Sequence, residues 1–463
     1  METWPRLLRS LRLGVVVLVC WPLWAWAQAD ASAAPQPVGE VLFSRGVGFA
    51  QSPGQTPRTL GAGLPLWEGD RLSTASGGSA VFRLSDGTRM SLRPQSELVL
   101  DTVRFQQQAQ DNSLTLGLLR GGFRAITGLI SKGSDRAARV NTPTATLGIR
   151  GTDFDARICA GDCASDSGAS AGRESASPLR TAVQPQASAK VVQVEGVLSA
   201  TAPAQAPRRL VQGSSVYPGE LLETGPQARA VLAFRDQSRI SLGAGTRFEV
   251  RDFAFDANNP ADGRFLVTLL KGTVRALTGL IAKAQPRNVS FKTPTATIGI
   301  RGTGIDLSCE SADCRFFTWL GAMTVTPDGQ TALQVLEAGQ GLLVTPTGMS
   351  PINELPLPGL ERPDLVPVDL KALFASTAVD ESTEGVYVFV RDGHIELTTP
   401  QGEIVHLGRG EVGLADNSGR ALRPLLLPSF IERDRTPNPS SNSSLLNTAL
   451  EEAGLRSETQ CRR

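Results

Sequence analysis

An all-β fold built twice is what this sequence predicts: two duplicated, antiparallel, β-rich units of sandwich or β-solenoid-like form, plus a C-terminal β-hairpin segment. Three observations predict it. Short alternating runs are joined by tight glycine turns, as in VFRLSDGTRMSL, where Phe82 and Leu84 share a face, Asp86-Gly87 turns the chain, and Met90 and Leu92 resume the alternation. No helical periodicity is interleaved with these strands, which argues against a parallel α/β sheet. Finally, TPTATLGIRGT at 142–152 returns as TPTATIGIRGT at 293–303, an offset of 151, with only Leu147 exchanged for Ile298.

Taken in chain order, the N-terminus reads as an export signal. Arg6, Arg9 and Arg12 precede the apolar run LGVVVLVCWPLWAWA, which closes on Ala25-Trp26-Ala27, so a signal peptide over 1–27 cut after Ala27 is expected. An uncleaved anchor is the alternative, but a spanning helix needs ~20 apolar residues, and Pro22 interrupts this shorter run. A lipoprotein signal would need small residues before Cys20, where Leu18 and Val19 stand. The mature chain is therefore expected to be periplasmic or secreted and not an integral membrane protein.

Unit one spans about 38–165 and unit two about 190–345. LRGGFRAITGLISK at 119–132 matches LKGTVRALTGLIAK at 270–283, AVFRLSDGTRMSL at 80–92 matches AVLAFRDQSRISL at 230–242, and LWEGDRL at 66–72 answers VYPGELL at 216–222. The order is kept throughout, so a whole domain is duplicated. Residues 166–189, rich in Ala, Ser, Gly and Pro, read as a flexible linker, and the Pro-dense 346–383 as an extended one. At 384–430 a hairpin segment, VRDGHIELTTPQGEIVHL, resembles GAMTVTPDGQTALQVL of unit two; unit one has no such hairpin of its own. One expectation follows: unit two is inserted into unit one, whose closing hairpin lies at 384–430. The tail 431–463 reads as disordered.

The repeated motif reads as a strand with Thr142, Thr144, Thr146, Arg150 and Thr152 on one face and Pro143, Ala145, Leu147 and Ile149 on the other. The phase flips after Gly151, as a bulge or bend would produce, and Gly302 is its counterpart. A bend there is expected to bring Asp155 to Arg150 and Asp306 to Arg301 as fold-specifying ion pairs. In unit two the same face carries Thr293, Thr295, Thr297 and Arg301. The alternative is that this Thr and Arg face binds an anion or a glycan. After each motif comes a close cysteine pair, Cys159 with Cys163 and Cys309 with Cys314. Each is expected to form a local disulfide, closing a short loop worth about 2 kcal/mol in the chain-entropy model; metal binding would need further Cys or His ligands nearby. Cys461 sits in a polar tail.

The corner EGD at 68–70 with its counterpart PGE at 218–220, the hairpin FRLSDGT, LRGGFRA and the terminal TPTATxGIRGT together resemble the FecR-type periplasmic domain family, over about 38–158 and 190–345. The resemblance implies an exported all-β module that binds another protein or an envelope component. In that family a transmembrane helix links the module to a cytoplasmic sigma-factor-binding segment, an arrangement from which this sequence departs.

Composition excludes other classes. A net charge of +1 offers no basic footprint for nucleic acid. The only histidines, His394 and His406, fall in the hairpin segment, and unit two has Ala322 and about Val335 in their places, so they read as strand side chains and not as catalytic bases. LRGGFRAITG lacks the Lys-Ser/Thr ending of a phosphate loop, and CAGDC and CESADC lack a metal's ligand count. No catalytic residue, cofactor or metal is expected. The function read from the sequence is a non-enzymatic sensory, binding or scaffold protein acting through an envelope protein partner; the alternative is a cell-wall or polysaccharide-binding protein.

Overall fold

The computed structural model describes residues 36–107, 111–133, 137–163, 186–331, 333–353, 357, 360–432, 434 and 436–439. The expected signal peptide, most of the 166–189 linker, Cys20, Cys461 and the tail beyond 440 lie outside the described residues.

The fold is all-β. Two sheets carry it, one of 16 strands and one of 15, antiparallel except for one parallel pairing in each. The two sheets repeat one another in order, the single strand Arg264–Leu277 of the second standing for two of the first, Ser113–Arg120 and Gly122–Ile126. In the first, the opening strand Gly39–Arg45 pairs with Ser79–Leu84 through a one-residue irregularity between Val41 and Phe43; in the second, Ala189–Glu195 pairs with Arg229–Phe234 through the same irregularity between Val191 and Gln193. Each sheet curls over its own core. Ala50 and Leu66, near opposite ends of the first strand order, share one apolar cluster, and Ala200 and Val344 share the other. Alternation drives this: in Glu97–Arg104 and Arg247–Ala254 buried and solvent-facing residues alternate along the strand. Single helical turns at Ile130–Gly133 and Leu280–Ala284 begin inside the repeated TGLI.

The motif strands are Thr146–Cys159 and Ala296–Glu310. They begin later than the sequence suggested. Thr142 and Thr293 are not strand residues: each hydroxyl donates to the carbonyl three residues on (2.8 and 3.0 Å) and accepts from the same residue's N–H, so TPTA is a turn. Local side-chain bonding of this kind outcompetes the ladder, and Pro143 and Pro294 have no N–H to give it. The register then shifts between Arg150 and Asp153, and between Arg301 and Gly304, with Gly151 and Gly302 at φ +53° and +65°. A left-handed residue inside a strand is what a glycine bulge requires.

In the second sheet the motif strand turns directly into a closing strand, Asp313–Pro327, paired along its length from Ala296↔Pro327 to Glu310↔Asp313. In the first sheet the strand in that position is Gly385–Thr398, paired from Thr146↔Thr398 to Cys159↔Gly385. Its Val386, Val388, Val390, Ile395 and Leu397 belong to the first core cluster. The strands Ile404–Gly408 and Val412–Asp416 follow on it.

Chain segments lie over part of each sheet's outer face. Phe430 and Ile431 pack with Tyr387, Phe389 and the Cys159–Cys163 disulfide, and Asp434 is ion-paired with Arg93. On the second sheet, the carbonyls of Leu360 and Glu361 accept from Arg275 (2.7 Å) and Ser241 (3.1 Å), and Arg362 stacks over Trp319 at 4.6 Å. The Pro-dense stretch is thus partly a strap, and its first residues make a further strand, Gly348–Ile352. Cys309 and Cys314 are bonded as a directly opposed pair across the second hairpin.

Candidate functional site

The exposed half of the first motif strand makes a polar surface with the strands on either side. Across it, Asn141, Thr146, Thr398 and Ile404 form one row, and Arg139, Gly148, Glu396 and His406 the next; Arg150, His394 and Gly408 form the third. Gly148 has no side chain to fill its place in the middle row. A hollow of about 220 Å³ results, lined by Arg139, Thr146, Arg150, Glu396 and Thr398. A Cβ built on Gly148 would approach nothing closer than 3.6 Å.

The second sheet serves as an internal control. Its equivalent, Gly299, is closed over by Thr324, whose hydroxyl would lie 2.6 Å from a Cβ there. Ser290, Thr324, Ala322 and Val335 stand where the first sheet has Arg139, Glu396, His394 and His406. The scaffold therefore folds without these four groups. They occur in one copy and not the other.

Beside the hollow, His394 and His406 stack with ring centroids 5.3 Å apart and their Nε2 and Nδ1 atoms at 3.4 Å. The His394 Nδ1 is buried with no hydrogen-bond partner among the described residues. Around the pair, residues of both sheets meet. Lys190, fully buried, donates to the His406 carbonyl (3.1 Å) and to Glu411 (2.9 Å), and Arg423 donates to the same carbonyl (3.1 Å). The His406 ring lies against Gly213, where a Cβ would come within 2.2 Å of it. Tyr217 donates to the Arg409 carbonyl, and the Arg409 guanidinium stacks on the Tyr217 ring at 4.6 Å.

Burial pushes both imidazoles down from their usual range, His394 far down. For His394 the positive neighbours His406, Arg150, Lys190 and Arg208 add to the effect; for His406, Glu396 opposes and Lys190, Arg423 and Arg150 reinforce. Burial likewise lowers the Lys190 ammonium, with Glu411 opposing. A histidine depressed in the folded state binds its proton more readily when unfolded. Stability is therefore complete above the unfolded value of about 6.5 and falls with acidity below it, by up to about 1.4 kcal/mol per pH unit for each ring that stays neutral. Melting temperature should drop between pH 7.5 and pH 5, and His406→Val, which copies Val335, should flatten that slope. An unchanged slope in the variant would count against this assignment.

In the first sheet the expected Arg150–Asp155 pair is replaced by others. Asp155 is held by Arg391 of the closing strand at 2.7 Å, and Arg124 by Asp153 in a two-bond contact (3.1 and 2.8 Å). In the second sheet, Asp306 is gripped by Arg275 at 2.7 and 2.8 Å. The reason is reach. Five residues of extended chain separate Arg150 from Asp155, roughly 16 Å at ~3.3 Å per residue, and the bulge bends the strand without folding it back. Cross-strand neighbours are far nearer, and Arg124↔Asp155 and Arg275↔Asp306 are direct register partners. Arg150 instead lines the hollow, while the side chain of Arg301 lies outside the described residues. Thr146 and Thr297 are exposed, and Thr144 and Thr295 half-buried.

Sequence reasoning passed over the Lys190–Glu411–His406 junction. A signal was present: Lys190 is Glu40 in the first copy, and both histidines lack counterparts in the second. Among the described residues, no group of three His, Cys, Asp or Glu side chains is placed to hold a metal, and no helix is long and apolar enough to cross a membrane.

Comparison with known proteins places these features. The family model described as FecR protein matches residues 70–171 and again 220–323. No curated protein matches the chain. Two solved structures of a "putative anti-sigma factor from Parabacteroides distasonis ATCC 8503" are similar at 15% and 16% identity, each with a TM-score of 0.24 and covering 29% of this chain and 59% of the other. The chain thus spans about three fifths of that protein's length. The second match ends inside the closing strand Asp313–Pro327, the first ends among residues outside those described, and each contains the whole TPTATxGIRGT motif. Residues 70–171 and 220–323 are two FecR-type regions, and the chain carries two FecR-like domains.

Proposed function

We propose that this chain is an exported, non-enzymatic binding protein of the cell envelope that acts by contact with another protein. The observation that carries the reading is the FecR-like domain, present twice in one chain, each copy holding a disulfide suited to an oxidising compartment. We also propose the domain layout: a cleaved leader over 1–27, one unit over 38–165 completed by 384–430, and a second unit over 190–345 inserted into the first. The pairing of Thr146–Cys159 with Gly385–Thr398 supports the insertion.

The partner-reading surface is the hollow over Gly148. Arg139 and Arg150 line it with positive charge, Glu396 with a carboxylate, and Thr146 and Thr398 with hydroxyls. This suits a polar, charge-bearing segment of protein. The test is capture from an envelope extract on the immobilised mature chain, beside the double variant Arg139→Ala/Glu396→Ala. Retention of a specific envelope protein by the first and its loss at least tenfold in the second, with melting temperature unchanged, is expected. Retention on purified peptidoglycan or polysaccharide without any protein would favour the alternative reading, and equal capture by the variant would remove the hollow from the account.

A further inference from the structure

One FecR-like unit has its opening face covered by a hairpin, and the other has the same face open. In the second sheet, Lys190 of the opening strand stands opposite Ser215, and Gly213 donates its N–H to Val191. Onto this face sits the turn after Ile404–Gly408. His406 rests on Gly213, Glu411 bonds Lys190, and a Cβ on Gly408 would come within 2.5 Å of the Ser215 hydroxyl.

The first sheet repeats the face in register. Glu40 stands opposite Pro65, Gly63 donates to Val41, and Gly63 and Gly213 share φ +82°. Here a hollow of about 500 Å³ lies open between Gly39, Glu40, Gly63, Pro65 and Arg83. A Cβ on Gly63 would meet nothing within 4 Å.

The hairpin is duplicated too. Gln334–Glu337 pairs with its closing strand, Val335 opposite Thr324, as Ile404–Gly408 does with His406 opposite Glu396. The two turns are bonded alike. Gln340 N–H donates to the Glu337 carbonyl (3.0 Å), as Glu411 N–H does to Gly408 (3.0 Å). Glu337 N–H donates to the Gln340 side-chain oxygen (2.9 Å), as Gly408 N–H does to the Glu411 carboxylate (2.7 Å). Yet this second hairpin faces solvent, with Leu333 54% and Val335 47% exposed.

One seated hairpin, one covered face, one open hairpin and one open face remain on a single chain. We infer that the open hairpin, Leu333 to Gln340, docks on the open face of a second copy of this chain, at Glu40, Gly63, Pro65 and Arg83. The internal contact supplies the template. Val335 takes the place of His406 over Gly63, and the Gln340 turn takes the place of Glu411. The bond at the turn keeps a counterpart of reversed polarity: where Lys190 donates to Glu411, the Gln340 amide, its oxygen already accepting from Glu337, donates to the Glu40 carboxylate, which Arg83 holds from its other side. The Lys190 bond to the His406 carbonyl has no counterpart. The contact is heterologous, hairpin to face, so copies join head to tail into a ring or an open chain.

Sedimentation of the mature full-length chain over a range of concentrations tests this, with Val335→Glu disabling the hairpin and Pro65→Arg blocking the face. Both positions are exposed, so both variants should keep the wild-type melting temperature. Wild type should associate with rising concentration, and each variant alone should associate about tenfold more weakly or not at all. An equimolar mixture of the two, each keeping one good surface, should form a 1:1 dimer and nothing larger. A wild-type chain that stays monomeric, variants that associate like wild type, or a mixture that fails to dimerise would each overturn the inference.

Discussion

Val388→Asp is expected to unfold the first sheet while leaving the second folded. Val388 is fully buried, faces Ala156 across the strand pair, and sits in the core among Val386, Val390 and Leu397. A carboxylate there has no partner and must either ionise in an apolar medium or be held protonated at a cost. The loss should exceed about 4 kcal/mol, a large part of the ~5–15 kcal/mol that holds a domain. The reporter is built in: a chain cut after Ala27 keeps only Trp67 and Trp319, one in each unit. In a Trp319→Phe background, Trp67 emission should shift to the red without denaturant; in a Trp67→Phe background, Trp319 should unfold as in wild type. Native-like Trp67 emission would show that the closing strand does little for the first sheet.

Arg275→Ala should be the most damaging ion-pair change. Asp306 is almost wholly buried, and Arg275 grips it with two bonds while also donating to the Leu360 carbonyl. Removing the guanidinium strands a buried carboxylate and releases the strap over the second sheet, a loss of about 3–5 kcal/mol. Arg391→Ala should cost less, because Arg124 lies near Asp155 and offsets part of the lost charge. Denaturant titration followed by Trp319 measures the first and by Trp67 the second. A loss below about 1 kcal/mol for Arg275→Ala would mean that Asp306 is accommodated without its partner.

The fold class was legible because β alternation and glycine turns are local signals. Phe82, Leu84, Met90 and Leu92 declare their buried face within one short hairpin, and the repeat multiplies that evidence. The bulge at Gly151 was legible for the same reason: a phase flip at a glycine is a local event. Pairing was not. Which arginine holds Asp155 depends on a strand 236 residues away, and no spacing rule reaches that far. The TPTA turn was misread because threonine favours strands on average, while Thr142 here spends its hydroxyl on its own backbone. The candidate site was half legible. Thr146 and Arg150 were singled out, but Arg139, Glu396 and the emptiness over Gly148 emerge only when three strands lie side by side.

The proposal that the second unit is inserted into the first rests on the strand pair Thr146–Cys159 and Gly385–Thr398. Native-state hydrogen exchange on the intact mature chain tests it most directly. The amides of 146–159 and 385–398 should be protected to the same degree and be released together by Val388→Asp, with 296–310 unaffected. Exchange of 385–398 at the rate of an unstructured chain, while 146–159 stays protected, would contradict it.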